Sequence, residues 1–200
     1  VKIVVIGATG TIGAALADAL AADHEVVRAS RRGAVRVDLA DPASIKTLFA
    51  TVDNIDGVIA VAGSGRLTEL TDPSDDNYFV GPDSKYLGQI HLVRHAARCL
   101  NSGGFVTLTS GVVPPTESGL SFAAAVNTGL DGFVPAAASE MPRGIRVNSV
   151  SPGWISETLE SMGRDGAAGT PVSEVVRAYV ELVDGTTNGR VIRPDHLPEH

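Results

Sequence analysis

The stretch GATGTIG, residues 7–13, constrains this chain most, because it sets three glycines at G-x-x-G-x-x-G between an apolar run and a helical pattern. The run, VKIVVIGA over residues 1–8, suits a strand covered on both faces, and TIGAALADALAAD over 11–23 continues with apolar residues at helical spacing. Absent side chains at such a junction permit a tight turn and let a pyrophosphate approach the main chain. There the unpaired N–H groups and the positive dipole end of the helix favour an anion. The spacing differs from the commoner G-x-G-x-x-G, so its context at a first strand-to-helix turn carries the assignment. Gly7, Thr9, Gly10, Thr11, Ile12 and Gly13 are therefore expected at a dinucleotide cofactor.

Further β-rich runs at 25–30, 35–39, 56–63, 104–111, 145–153 and 189–193 are interleaved with helical stretches at 41–52, 84–100, 120–140 and 172–183. Asp41 is placed to cap the second helix with Pro42 at its first position, and Pro135 predicts a local adjustment or an early end of the fourth. Residues 154–171 read as loop or short helix. No repeat, low-complexity tract or linker interrupts the pattern, so residues 1–200 are expected to form one domain. The composition, 44% hydrophobic but only 4% aromatic with 22 glycines, suits a core of Val, Ile, Leu and Ala packed closely between helices and a sheet. The expected class is α/β, a Rossmann-type doubly wound sheet of about seven mostly parallel strands with helices on both faces.

A net charge of −7, with no Lys/Arg cluster larger than a pair, argues against nucleic acid and against an anionic membrane surface. Cys99 is the one cysteine, which excludes an internal disulfide and a multi-cysteine metal site. Every apolar stretch is broken well short of the ~20 residues a membrane-spanning helix needs. A reducing, cytoplasmic compartment is expected.

The end of the second strand sets cofactor choice, since an acid there would bind the adenine ribose hydroxyls of NAD. No acid is present. SRRG, residues 30–33, supplies Ser30, Arg31 and Arg32 instead, and planar guanidinium forks suit a 2′-phosphate, so NADP(H) is expected over NAD(H). Two solvated arginines on a surface turn are the alternative.

At this point the chain resembles the short-chain dehydrogenase/reductase family. The glycine turn, Asp38 in VDL, AVAG at 60–63, Ser110 closing the fifth strand and RVNSVSPG at 146–153 fall in family order over nearly the whole chain. The resemblance implies a seven-stranded doubly wound sheet with nicotinamide bound across its carboxyl edge. It places Asp38 and Leu39 beside the adenine, Ala62 and Gly63 along the cofactor, and Pro152, Gly153 and Ile155 in the loop at the carboxamide. It also implies homodimers or homotetramers assembled through the helices at 84–100 and 120–140.

The departures are as informative. Counting from Ser110, the family's Tyr and Lys positions hold Ala123 and Asn127, and no shift recovers them. The only lysines are Lys2, Lys46 and Lys85, and the only tyrosines Tyr78, Tyr86 and Tyr179. Asn127 remains able to hydrogen-bond a ribose hydroxyl. Lys85 occupies the place of a family Asn on the helix flanking the active site, where an ammonium with a pKa lowered by burial and nearby positive charge would act as the acid. Solvation or pairing with Asp83 is its alternative role. Ser110 is expected to donate to a substrate carbonyl, or else simply to cap its strand. His91 and His95 share a helical face, but without a third ligand packing or a subunit contact is favoured over metal. Trp154 covers the ring edge or anchors its loop. Two readings follow: an NADP(H)-dependent oxidoreductase acting on a small carbonyl or alcohol with an atypical proton donor, or a non-catalytic NADP(H)-binding sensor. A metal hydrolase is a distant third.

Overall fold

The first strand, β1 (Lys2–Ile6), sends alternate side chains to opposite faces: Ile3 and Val5 enter one apolar layer, Val4 and Ile6 the other, and all four are buried. A strand apolar at every position is thus a strand with helices on both sides. The computed structural model describes residues 1–62, 66–114 and 117–194.

The elements continue as α1 (Thr11–Leu20), β2 (Glu25–Ser30), β3 (Val35–Arg36), α2 (Pro42–Thr51) and β4 (Gly57–Ala60). They are followed by α3 (Asp75–Tyr78), a π-helical turn (Pro82–Leu87) running into α4 (Gly88–Cys99), β5 (Phe105–Thr109) and α5 (Ser121–Glu140). Last come β6 (Arg146–Val150), α6 (Ser156–Ser161), a 3₁₀ turn (Gly166–Ala168), α7 (Val172–Asp184) and β7 (Val191–Ile192). The strands form a seven-stranded sheet in the order β3-β2-β1-β4-β5-β6-β7, with every recorded pair parallel. Leu16 and Leu20 of α1 pack with Tyr179 and Leu182 of α7 on one face. Ile45 and Leu48 of α2, Leu92 of α4 and Leu130 and Val134 of α5 cover the other. The expected doubly wound α/β sheet is the one observed.

Strands end earlier than the apolar pattern predicts. Val37 and Leu39 are 2% and 3% exposed yet lie past β3: the Val37 N–H still donates to the Ser30 carbonyl of β2 at 3.1 Å, and beyond it packing against α2 and α4 keeps Leu39 buried after the ladder has ended. Asp41 does cap α2, accepting from the Ala43 N–H at 2.9 Å. Pro135 does not end α5 early: the helix runs to Glu140, and Pro135 lies on its exposed face, where water can solvate the carbonyl its ring leaves without a donor. The main departure lies ahead of α4. The helix expected from residue 84 begins instead as a π-helical turn over Pro82–Leu87, with Pro82 at the first position and Gly81 in the left-handed region at φ +83°. A π turn sacrifices regular i→i−4 bonding to re-aim its side chains, and such turns concentrate at functional sites.

Candidate functional site

The order of the sheet reverses between β1 and β4, and their carboxyl ends open on a cleft of about 500 Å³. Its wall is made by Gly7, Thr9 and Gly10 from the glycine turn, Ser30, Arg31 and Arg32 after β2, Asp38 and Leu39 before α2, and Ala62 and Ser84 across the opening. Two glycines are there for steric reasons. Gly7 has φ +92°, and a Cβ on it would sit 2.8 Å from the Ala62 amide; a Cβ on Gly13 would collide with the Gly7 carbonyl. The turn can close against β4 only with both left bare. Gly10 N-caps α1 without any side-chain hydrogen bond, so the first amides of that helix have no side-chain partner at the cap. The donor set, a bare helix N-terminus beside two exposed arginines, fits a phosphate-bearing cofactor.

Of the other expected cofactor contacts, Thr11 is exposed at the start of α1, and Ile12 leans into the apolar layer. Gly63 lies outside the described residues. Asp38 is turned inward on its own loop, accepting from the Ala40 N–H at 3.0 Å. After β6, the Pro152 carbonyl accepts from the Val112 N–H at 2.8 Å, and Gly153 lies between it and Trp154. The Ile155 side chain is buried, while its N–H has no recorded partner among the described residues. Trp154 is anchored: its indole N–H donates to Glu117 at 2.6 Å, and the Arg164 guanidinium lies over its ring and pairs with Glu117 at 3.0 Å.

Lys85 follows Ser84, the last residue of the cleft wall, in the chain. The π turn aims this side chain inward, where its Nζ donates to the Ser110 carbonyl oxygen at 3.1 Å, and not toward Asp83. Burial pushes the ammonium down to about 8, against the opposing pull of the Asp131 carboxylate. The expected neighbouring positive charge is therefore replaced by a negative one. Gln89, fully buried one turn on, donates to the Lys85 and Thr109 carbonyls at 2.6 and 3.0 Å and accepts from the Thr109 N–H at 2.9 Å. Two of these three bonds tie α4 to the end of β5 and the third ties Gln89 to Lys85 itself, so the helical stretch carrying Lys85 is locked to the strand leading to Ser110.

The Ser110 hydroxyl donates to Asp131 at 2.5 Å, and the other oxygen of that carboxylate accepts from Arg193 at 3.2 Å. Asn127, one turn before Asp131 on α5, comes close to the same strand end: a Cβ on Gly111 would lie 3.0 Å from its Nδ2. Lys85, Ser110 and Asn127 are thus brought to one place. Asp131 and Arg193 were not anticipated. The first was legible, since it continues the i, i+4 face of Asn127; the second follows the last strand and carries no local signal.

All three tyrosines are otherwise engaged. Tyr86 packs its ring on Gly129 of α5, and Tyr78 bonds Ser121 at 2.8 Å within an aromatic group with Phe79 and Phe122. Tyr179 bonds Thr109 at 2.6 Å, and burial raises its pKa well above the phenol range. His95 stacks on Phe49 with ring centroids 6.1 Å apart. No group of three or more metal-ligating side chains occurs among the described residues, and no helix there is long and apolar enough to cross a membrane.

A parallel sheet that reverses its order at a glycine-lined cleft defines a Rossmann-type α/β protein. Residues 5–180 match the family model adh_short_C2, described as enoyl-(acyl carrier protein) reductase. The protein lin1944 from Listeria innocua is 34% identical, with a TM-score of 0.90 over 96% of this chain and 98% of that one. A small-chain dehydrogenase is 30% identical with a TM-score of 0.82, covering 96% and 94%. A small-chain dehydrogenase solved in complex with NADPH is 27% identical with a TM-score of 0.83, covering 96% and 95%. No curated protein matches the chain by sequence. The chain belongs to the short-chain dehydrogenase/reductase family of oxidoreductases.

Proposed function

We propose that this protein is an NADP(H)-dependent oxidoreductase acting on a small carbonyl or alcohol, with Lys85 as the acid/base. The observation that carries the reading is Lys85 itself, a lysine drawn out of water onto the Ser110 carbonyl at the carboxyl edge of β5. Ala123 and Asn127 stand where the family's Tyr and Lys would be, so another group must move the proton. When bound, a nicotinamide dinucleotide would supply or accept the hydride. Gly7, Thr9, Gly10 and the start of α1 would hold its phosphates, Asn127 a ribose hydroxyl, and the Ile155 N–H its carboxamide. In the reducing direction, Lys85 gives one N–H proton to the substrate oxygen as hydride reaches the carbon, leaving a neutral amine and an alcohol. The test is NADPH oxidation across a panel of small carbonyls. Tight NADPH binding with no turnover on any of them would move the assignment to the non-catalytic sensor.

Arg31 and Arg32 support the choice of NADP(H), since both line the cleft, both are exposed, and neither forms an ion pair among the described residues. Binding is expected to favour NADPH over NADH by at least about tenfold, or ~1.4 kcal/mol. Arg31→Ala combined with Arg32→Ala should abolish that preference in a fluorescence titration. Retained preference in the double variant would refute the 2′-phosphate assignment.

Self-association through α5 is a second part of the proposal. Ala125, Thr128, Gly132 and Ala136 make a small-residue outer face, and a Cβ on Gly132 would meet nothing within 4 Å, so folding of the single chain does not require a glycine there. Small side chains let two helices approach closely about a two-fold axis. Sedimentation at micromolar protein is expected to find a dimer or tetramer, with Gly132→Gln shifting it toward monomer. A wild-type monomer would defeat the idea.

A further inference from the structure

Ser110 bonds to Lys85 through its carbonyl oxygen, at 3.1 Å, and through its hydroxyl to a carboxylate that no part of the reductase reading yet uses. Asp131 on α5 takes the Ser110 proton at 2.5 Å through Oδ1 and an Arg193 N–H at 3.2 Å through Oδ2, and only 19% of its side chain is exposed. A hydroxyl has one proton. With that proton committed to Asp131, Ser110 Oγ presents lone pairs to the site and cannot polarise a carbonyl, contrary to the donor role expected from its place in the sequence. It already accepts, weakly, from Ser149 at 3.4 Å.

We propose that Asp131 is a positioning residue that makes Ser110 a hydrogen-bond acceptor and, from the other side of Ser110, sets the negative charge that keeps Lys85 the donor of the site. The proposal rests on the reading of Lys85 as the acid and extends it to substrate polarity. The reacting oxygen faces Lys85, and a group that donates a hydrogen bond, such as the product alcohol or a neighbouring hydroxyl, faces Ser110. Arg193 fixes the carboxylate from outside, so its inner oxygen stays on Ser110. The chain has given up the phenol and its cationic partner on this helix, yet one turn further along it carries an anion that sustains a cation across the site.

The charged and titratable groups around Lys85 are few. Asp131 acts on it through space from the far side of Ser110 with Arg193 behind, Tyr86 follows it and packs on α5, Asp83 precedes it at an exposed position, and the end of β5 brings no charge. Its protonation should therefore respond to Asp131 and Arg193 in opposite senses. Removing the carboxylate withdraws what favours the ammonium, whereas removing the guanidinium leaves the carboxylate acting on Lys85 alone.

The chain's three lysines make this measurable without cofactor, substrate or turnover. In lysine side-chain NMR of the whole protein, with the Lys85 signal assigned by its loss in Lys85→Met, the wild-type midpoint is expected near 8. Asp131→Asn should lower it by roughly one pH unit, and Arg193→Gln should raise it by less, while Lys2 and Lys46 stay put. Unchanged Lys85 midpoints in both variants, or shifts of the same sign, would overturn the proposal. Arg193→Gln keeps the carboxylate and decides the matter alone if Asp131→Asn does not fold. Opposite shifts in a protein that oxidises no NADPH would sustain Asp131's hold on Lys85 and count against the reductase reading. Unmoved midpoints in an active enzyme would do the reverse.

Discussion

Lys85→Met is expected to cut the rate of NADPH-dependent turnover by on the order of a hundredfold or more while leaving NADPH binding intact. The substitution keeps the length of the stem and removes the ammonium. The cleft that would hold the dinucleotide is lined by the glycine turn, the arginine pair and the loop before α2, none of which touches the Lys85 head group. Binding and chemistry should therefore separate cleanly. Two of the three tyrosines have their hydroxyls bonded elsewhere, Tyr78 to Ser121 and Tyr179 to Thr109, and the ring of Tyr86 packs on Gly129 of α5. Single-turnover kinetics beside a fluorescence titration make the comparison. Equal rates in variant and wild type would remove Lys85 from the chemistry and leave bound water or the substrate itself to carry the proton.

Much of the fold was readable because its determinants are local. Full apolar occupancy of residues 3–6 requires cover on both faces, and glycines at 7 and 13 require a strand and helix pressed together. Strand ends were read too long for a reason in the physics. Leu39 is buried by helices after the last bond to β2 at Val37, and hydropathy cannot tell one form of burial from the other. The π-helical turn at Pro82–Leu87 was invisible for a similar reason. Its residues are polar or mixed, so neither periodicity nor propensity separates i→i−4 from i→i−5 bonding there.

The candidate site was readable where side chains share an element or a motif. Asn127 and Ser110 fall close together because the end of β5 faces the first half of α5, and Lys85 follows from its helix flanking both. Polarity was not readable. Whether Ser110 gives or receives a hydrogen bond depends on Asp131, which is remote in sequence, and Asp131 in turn depends on Arg193 beyond the final strand. A serine at a strand end reads as a donor until its neighbour across space is known.

The same lysine should lower the stability of the fold. Its pKa falls from the ordinary 10.5 to about 8, so between those values the unfolded chain holds a proton that the folded chain has released. Stability then rises with pH across that window, and the penalty for the buried ammonium is present in full below pH 8. A depression of this size corresponds to at most about 3 kcal/mol. Partial access to water and the loss of one hydrogen bond to the Ser110 carbonyl in the variant bring the expected net to roughly 1–2 kcal/mol. Lys85→Met should accordingly be the more stable protein at pH 7 by that amount, with the gap closing as pH approaches 10.5; urea unfolding at several pH values measures it. Asp131 is not stranded by the change, because Ser110 and Arg193 still occupy its oxygens. A variant less stable than wild type at pH 7 would mean that the ammonium is a structural tie and not a strained acid. A more stable and inactive variant would mean that the chain keeps an unfavourable charge at the mouth of its sheet because the proton is needed there.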